Sequence, residues 1–251
     1  MCLIAFAWKQ NPVHKLLLIG NRDEFYQRDA TTAHFWSEDS NILAGKDLSA
    51  GGTWLGLNKQ GKLATITNYR DLNNIKQGAP SRGKLTLDFL QNDNSGKEYL
   101  EQIMPKADQF NFFNLLLYDG EELCYFSNVT GKYQTLPPGI YGLSNHLLNT
   151  SWPKVEKAKD ALWKYLRYNT DIFSAFADTT LANDAILPDT GVGLELERKL
   201  SAMFIHFENY GTRCTTLLKI DYDSNLEFQE RTFNEGQKKG EDALFQFEFF
   251  N

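Results

Sequence analysis

Residues Lys15 to Arg28 read KLLLIGNRDEFYQR. Leu16, Leu17, Leu18 and Ile19, closed off by Gly20, form a short continuous apolar run, which predicts a strand buried in the core. Asn21, Arg22, Asp23 and Glu24 then follow without a break. Asp and Arg rarely sit buried unless paired. Two readings of that boundary stay open. One is an Arg–carboxylate pair that closes a strand end; the other is a charged floor to a pocket, with Phe25 and Tyr26 as its apolar wall. Upstream, Cys2 to Trp8 is a second apolar, β-compatible run, and Asn11-Pro12 between the two is a turn signal. Together they predict an antiparallel hairpin that brings Cys2, at the head of the first strand, beside Asn21 at the end of the second.

Working outward, Thr53–Leu57 and Lys62–Thr67 predict another hairpin across Asn58-Lys59-Gln60-Gly61, with period-2 alternation in its second arm. Gly51-Gly52 before it permits a tight turn or a close backbone approach. Ser81–Leu90 and Lys97–Met104 read as helices. Phe112–Tyr118, Leu123–Asn128 and Lys132–Leu136 read as a meander with turns at Asp119-Gly120 and Thr130-Gly131. After Pro137-Pro138, Ile140–Ser144 is extended. Pro153–Tyr168 is the best helix, with Pro in its first turn and Val155, Ala158, Leu162, Tyr165 and Leu166 on one face. Asp171–Ala177 reads as a short helix and Leu181–Leu194 as a surface loop. Met203–Phe207, Arg213–Tyr222, Leu226–Phe233 and Ala243–Phe249 are the last strands. About ten hairpin-connected strands with a few helices among them predict an α+β fold of largely antiparallel sheets. No linker divides the chain, so residues 1–251 are expected to be a single domain.

Composition removes several classes of function. The net charge of −6 argues against a nucleic-acid binder or a polybasic membrane-surface protein. Three cysteines without a CxxC pair exclude a disulfide framework and a cysteine zinc site, and no metal site is expected. No run approaches the length of an integral membrane segment. The apolar start lacks a basic flank and a cleavage site, so it is no signal peptide, and a cytoplasmic protein is expected. No Walker A, HExxH, EF-hand or GxSxG pattern occurs. The four histidines are scattered, and no CxxCH or Cys-Pro supplies a haem ligand.

Cys2 carries the most specific chemistry. Removing Met1 would leave it N-terminal, with an α-amine of pKa roughly 7.7–8.0 that can act as base for its own thiol. A nearby Arg, with Arg22 and Arg213 as candidates, would raise the thiolate fraction. Asn68 and Asn145 are candidate donors to an oxyanion. The alternative is that Cys2 is a small buried residue starting a core strand.

NRDEF followed by Arg28 is the signature of the NRDE family, also called the transport-and-Golgi-organisation family. MCLIAFAW at the start, LAGKDLSAGGTWLG at Leu43–Gly56, TNYR at Thr67–Arg70, Ser81-Arg82-Gly83, GLSN at Gly142–Asn145 and YGTRCTT at Tyr210–Thr216 agree with it in order. The chain also looks like the N-terminal nucleophile (Ntn) hydrolases of the penicillin V acylase and bile-salt hydrolase type. That resemblance implies an αββα sandwich of two mainly antiparallel sheets. It departs from them in having Arg22 and Asp23 adjacent, where those enzymes separate Arg and Asp by two residues.

The NRDE resemblance implies a small amphipathic ligand, in haem trafficking or in lipid and acyl-thioester homeostasis, with no required cofactor and haem as a possible cargo. Asn21, Arg22, Asp23, Glu24, Trp54, Tyr69, Asn145 and Arg213 are the expected ligand-binding residues. The alternative is an N-terminal-cysteine amidohydrolase or thioesterase using Cys2, Arg22, Asn68, Asn145 and Arg213.

Overall fold

A computed structural model describes residues 2–249. In chain order the strands are β1 (Cys2–Trp8), β2 (His14–Phe25), β3 (His34–Phe35), β4 (Ile42–Ala44), β5 (Leu55–Asn58), β6 (Leu63–Asn68), β7 (Phe113–Tyr118), β8 (Leu123–Ser127), β9 (Lys132–Thr135), β10 (Gly139–Leu143), β11 (His206–Phe207), β12 (Tyr210–Asp221), β13 (Asn225–Asn234), β14 (Gln237–Lys238) and β15 (Ala243–Glu248). The α-helices are α1 (Gly83–Leu90), α2 (Gly96–Ile103), α3 (Pro153–Tyr168), α4 (Ile172–Phe176) and α5 (Leu194–Lys199). The chain forms two compact units. One holds the residues up to Gln27, Arg70–Asn73 and Pro138–Gln246; the other holds Arg28–Tyr69, Asn74–Pro137 and the residues from Phe247.

The first unit is built on an eight-stranded sheet in the order β10-β1-β2-β12-β13-β14, with β11 beside β12 and β15 beside β13. The predicted hairpin is present, with Cys2 opposite Arg22 and Leu3 opposite Asn21. Alternation along β1 and β2 turns Leu3, Ala5, Ala7, Leu17 and Ile19 to one face, where they pack with Val155, Ala158 and Leu162 of α3 and Phe173 and Phe176 of α4. Ile4, Phe6, Leu16 and Leu18 on the opposite face are buried as well. A strand buried on both faces reads as an unbroken apolar run rather than an alternating one. That is why Leu16–Ile19 could be placed without a period-2 signal.

The second unit holds a seven-stranded antiparallel meander, β3 to β9 in chain order. Leu85, Phe89, Leu100 and Ile103 of α1 and α2 pack on Ala64, Ile66, Leu115, Leu117 and Phe126. Ser95 caps α2 through a capping box with Glu98. The Gly51-Gly52 pair has two different duties. Gly51 lies at φ 74° with nothing near a Cβ position, so it makes the turn. Gly52 is a close approach: a Cβ there would lie 2.5 Å from the carbonyl carbon of Gly83, whose oxygen accepts from Thr53 N. Two motifs separated by some thirty residues therefore meet backbone to backbone.

Several boundaries differ from the sequence reading. β2 does not stop at Gly20 but continues through Asn21-Arg22-Asp23 to Phe25, because β1 pairs with it as far as Arg22 and β12 as far as Phe25. The extended segment expected at Ile140–Ser144 is β10, Gly139–Leu143, and it pairs with β1. The Met203–Phe207 run is strand only at β11. The described residues hold fifteen strands where about ten were expected, the additions being mostly two- to three-residue pairings too short to carry a periodicity. Among the described residues no helix is long and apolar enough to cross a membrane.

Candidate functional site

Three strands of the first unit set up the site. Arg22 lies between Cys2 of β1 and Cys214 of β12, each directly opposite it in register. Directly opposed residues share a face of the sheet, so the three side chains form one row. Cys2 and Cys214 are two strand spacings apart, about 9–10 Å, beyond the Cα separation of a disulfide. Both are free thiols. Arg22 is buried.

The Cys2 thiol accepts from the backbone N–H of Asp23. Burial pushes that thiol up and the Asp23 charge adds to the rise, whereas Arg22 and the Asp23 N–H act against it. Burial likewise raises the Cys214 thiol well above its ordinary value, with Glu230 adding and Arg22 opposing. The Cys2 carbonyl oxygen accepts from Ser144 Oγ at 3.0 Å, and the same hydroxyl reaches Asn145 Oδ1 at 3.3 Å. Asn145, just beyond β10, thereby stands beside the head of β1, and its own carbonyl accepts from Arg70 N at 2.8 Å.

The residues of the NRDE run alternate between the two faces of the sheet because they lie on a strand, and Asn21, Arg22 and Asp23 are all buried. Asn21 is 1% exposed. Its Nδ2 donates to the carbonyls of Phe176 at 2.9 Å and Met203 at 2.8 Å, and its Oδ1 accepts from Thr215 Oγ1 at 2.6 Å. It ties β2 and β12 to the last residue of α4 and to the segment that precedes β11. Asp23 is equally buried and accepts from Thr212 Oγ1 at 2.8 Å, while its backbone oxygen accepts from Tyr210 Oη at 3.0 Å. Burial raises the Asp23 carboxyl; the Lys154 charge is the largest influence holding it down. Glu24 is half-buried and accepts from Phe25 N at 2.9 Å. Arg213 is the extra residue of a bulge between Thr212 and Cys214. Its Nη1 donates to the carbonyls of Phe25 at 2.8 Å and Tyr26 at 3.0 Å, with the guanidinium 5.9 Å from the Tyr26 ring centre.

The remaining expected residues belong to the second unit. Asn68 ends β6 opposite Phe113. Tyr69 stands edge-on to Phe112, ring centres 6.1 Å apart. The indole of Trp54 fills the space beside Gly45, where a Cβ would come within 2.4 Å of it.

Three charged residues coupled to Asp23 or to one another were not singled out from the sequence. Lys154, in the first turn of α3, is 2% exposed and coupled electrostatically to Asp23, Arg70, Cys2 and Glu197. Arg70 and Glu197 form a buried ion pair at 2.8 Å. Glu197 sits on α5, a short helix with no counterpart in the sequence reading. A signal for Lys154 was available: it lies four residues before Ala158 and eight before Leu162, on the buried stripe of α3. A lysine on such a stripe is out of place.

Two largely antiparallel sheets, each packed against helices, define an α+β fold of the Ntn-hydrolase type. The C2A mutant of conjugated bile acid hydrolase from Clostridium perfringens shares it, with a TM-score of 0.51 over 100% of this chain and 97% of that one at 9% sequence identity. The chain belongs to the Transport and Golgi organisation 2 family, which matches residues 1–235. It is 36% identical over 258 residues to the Transport and Golgi organization protein 2 homolog of Bos taurus, covering 92% of this chain and 93% of that protein. The Homo sapiens homolog stands at the same identity and coverage. The family expected from the NRDE motif and its companions and the fold expected from the resemblance to the Ntn hydrolases are thus both found.

Proposed function

We propose that this protein is a cysteine hydrolase of acyl amides or thioesters, with Cys2 as N-terminal nucleophile after loss of Met1. The observation that carries the reading is the register that sets Cys2 opposite Arg22 with the Asp23 N–H on its sulfur. The α-amine created on Cys2 takes the thiol proton. The sulfur attacks the substrate carbonyl carbon, an S–C bond forms, and the carbonyl C–N or C–S bond breaks. The leaving amine or thiol departs with the proton held by the ammonium. Water then attacks the acyl-enzyme thioester, giving one proton to the α-amine and releasing the carboxylic acid, and the sulfur recovers its proton. Arg22 favours the thiolate by charge attraction. Asn145, beside Cys2 through Ser144, is the candidate oxyanion donor on this unit.

A second reading has its own support. With Met1 retained, the amine base is lost from Cys2 and burial keeps its thiol protonated. The residues then serve binding, and the family resemblance points to haem or an acyl compound as ligand. Intact mass and alkylation separate the two. Hydrolysis requires a mass without Met1, alkylation of Cys2 by iodoacetamide at pH about 7 ahead of Cys124 and Cys214, and loss of thioester turnover in Cys2→Ser by about a thousandfold or more. A retained Met1, or a Cys2→Ser protein that still turns over, sinks the hydrolase. Haem or acyl-thioester binding without turnover then supports the carrier.

A further inference from the structure

Lys154 has no part in the reaction proposed for Cys2, yet its burial demands an account. Its side-chain Nζ has no hydrogen-bond partner among the described residues. A buried charge without partners is strongly unfavourable, so an ammonium held this way marks a site that something else completes. The residue lines a narrow cleft with Arg70, Trp152, Pro188, Glu197 and Leu200. Arg70 Nε likewise has no partner among the described residues. The guanidinium is fixed by its Nη1 bond to Glu197 and by the Trp152 ring 5.3 Å away.

The carboxylates nearby do not meet these donors. Glu197 Oε2 is taken by Arg70, and its Oε1 by the backbone N–H and hydroxyl of Thr190. Asp23 attracts Lys154 through space while its Oδ1 accepts from Thr212. The cleft also lies at the N-terminus of α3, a sixteen-residue helix whose N-cap, Trp152, supplies no side-chain cap. That end carries partial positive charge.

We propose that this cleft is a subsite for the carboxylate of an amphipathic acid, with Lys154 Nζ and Arg70 Nε bonding its oxygens and Trp152, Pro188 and Leu200 packing against its first carbons. The open space in the cleft is about 10 Å³, about the room of one water-sized group such as a carboxylate oxygen. Burial brings the Lys154 pKa down to about 8, with Asp23, Cys2 and Glu197 raising it and Arg70 lowering it further. A bound carboxylate supplies the missing counter-charge. The inference does not rest on hydrolysis by Cys2.

The probes are octanoate and its neutral analogue octanamide, read by thermal denaturation of the full chain at pH about 7. Saturating octanoate is expected to raise Tm by about 5 °C, and octanamide to leave it unchanged. Lys154→Met should lose the octanoate response and Lys154→Arg should keep it. Cys2→Ser should respond like wild type, so a failed nucleophile and a failed subsite give different results. Equal shifts with octanoate and octanamide overturn the proposal, and that comparison needs only the wild-type protein should Lys154→Met not fold. A normal octanoate response in folded Lys154→Met also overturns it, as does stabilisation by inorganic phosphate equal to that by octanoate.

Discussion

Replacing Asn21 by Ala should destabilise the first unit severely, although the residue opens the most recognisable motif in the chain. Its amide makes two donor bonds, to Phe176 O and Met203 O, and accepts one from Thr215 Oγ1, all within a site that excludes water. Each bond contributes about 1 kcal/mol net, and a buried carbonyl left without its donor costs about 1–3 kcal/mol. Two carbonyls are orphaned together, so the expected loss is about 3–5 kcal/mol. That is a large share of the roughly 5–15 kcal/mol that a folded protein has in hand. With a urea m-value of about 3 kcal/mol/M, the midpoint should fall by about 1 M or more. Asn21→Asp should be no better at neutral pH, because a carboxylate would face two carbonyl oxygens. A midpoint shift of less than about 0.3 M for Asn21→Ala, with ligand binding or turnover lost instead, would refute the reasoning and assign Asn21 to the site.

Gly52→Ala should cost about 3 kcal/mol or more, since the new methyl meets the Gly83 backbone and not a side chain that can swing away; Gly51→Ala meets no atoms and should suffer only the milder strain of its positive φ, and equal losses in chemical denaturation would contradict the distinction. Asp242 is held well below the usual carboxylate range by the Arg231 guanidinium, against some burial, and then by Lys238 and Gln229. A depressed folded pKa stabilises fully above the unfolded value of about 4 and is lost as pH falls through the folded one. Asp242→Asn should therefore lower stability by about 1–2 kcal/mol at pH 7, with the difference shrinking below pH about 4 and closing only below pH about 2; a pH-independent difference would show that packing, not charge, is responsible.

What the sequence determined by itself was the local pattern. Apolar runs with turn signals marked nearly every long strand. The Pro153 start and its spaced apolar face marked α3, and the Cys2–Trp8 and Leu16–Ile19 runs were enough to place Cys2 near the NRDE residues. These features are legible because hairpin pairing and helix faces depend on residues close together in the chain. Tertiary structure decided what each polar residue of the site does. Whether Asn21 clamps strands or binds ligand depends on Phe176, Met203 and Thr215, each more than 150 positions away. Arg213 turns to the Phe25 and Tyr26 carbonyls because a bulge re-aims it, and Lys154 feels the charges of Arg70, Asp23 and Glu197, which lie on three segments distant from it in the chain. Burial and charge pairing act through space, and no periodicity along the chain records which distant residues will share a low-dielectric pocket.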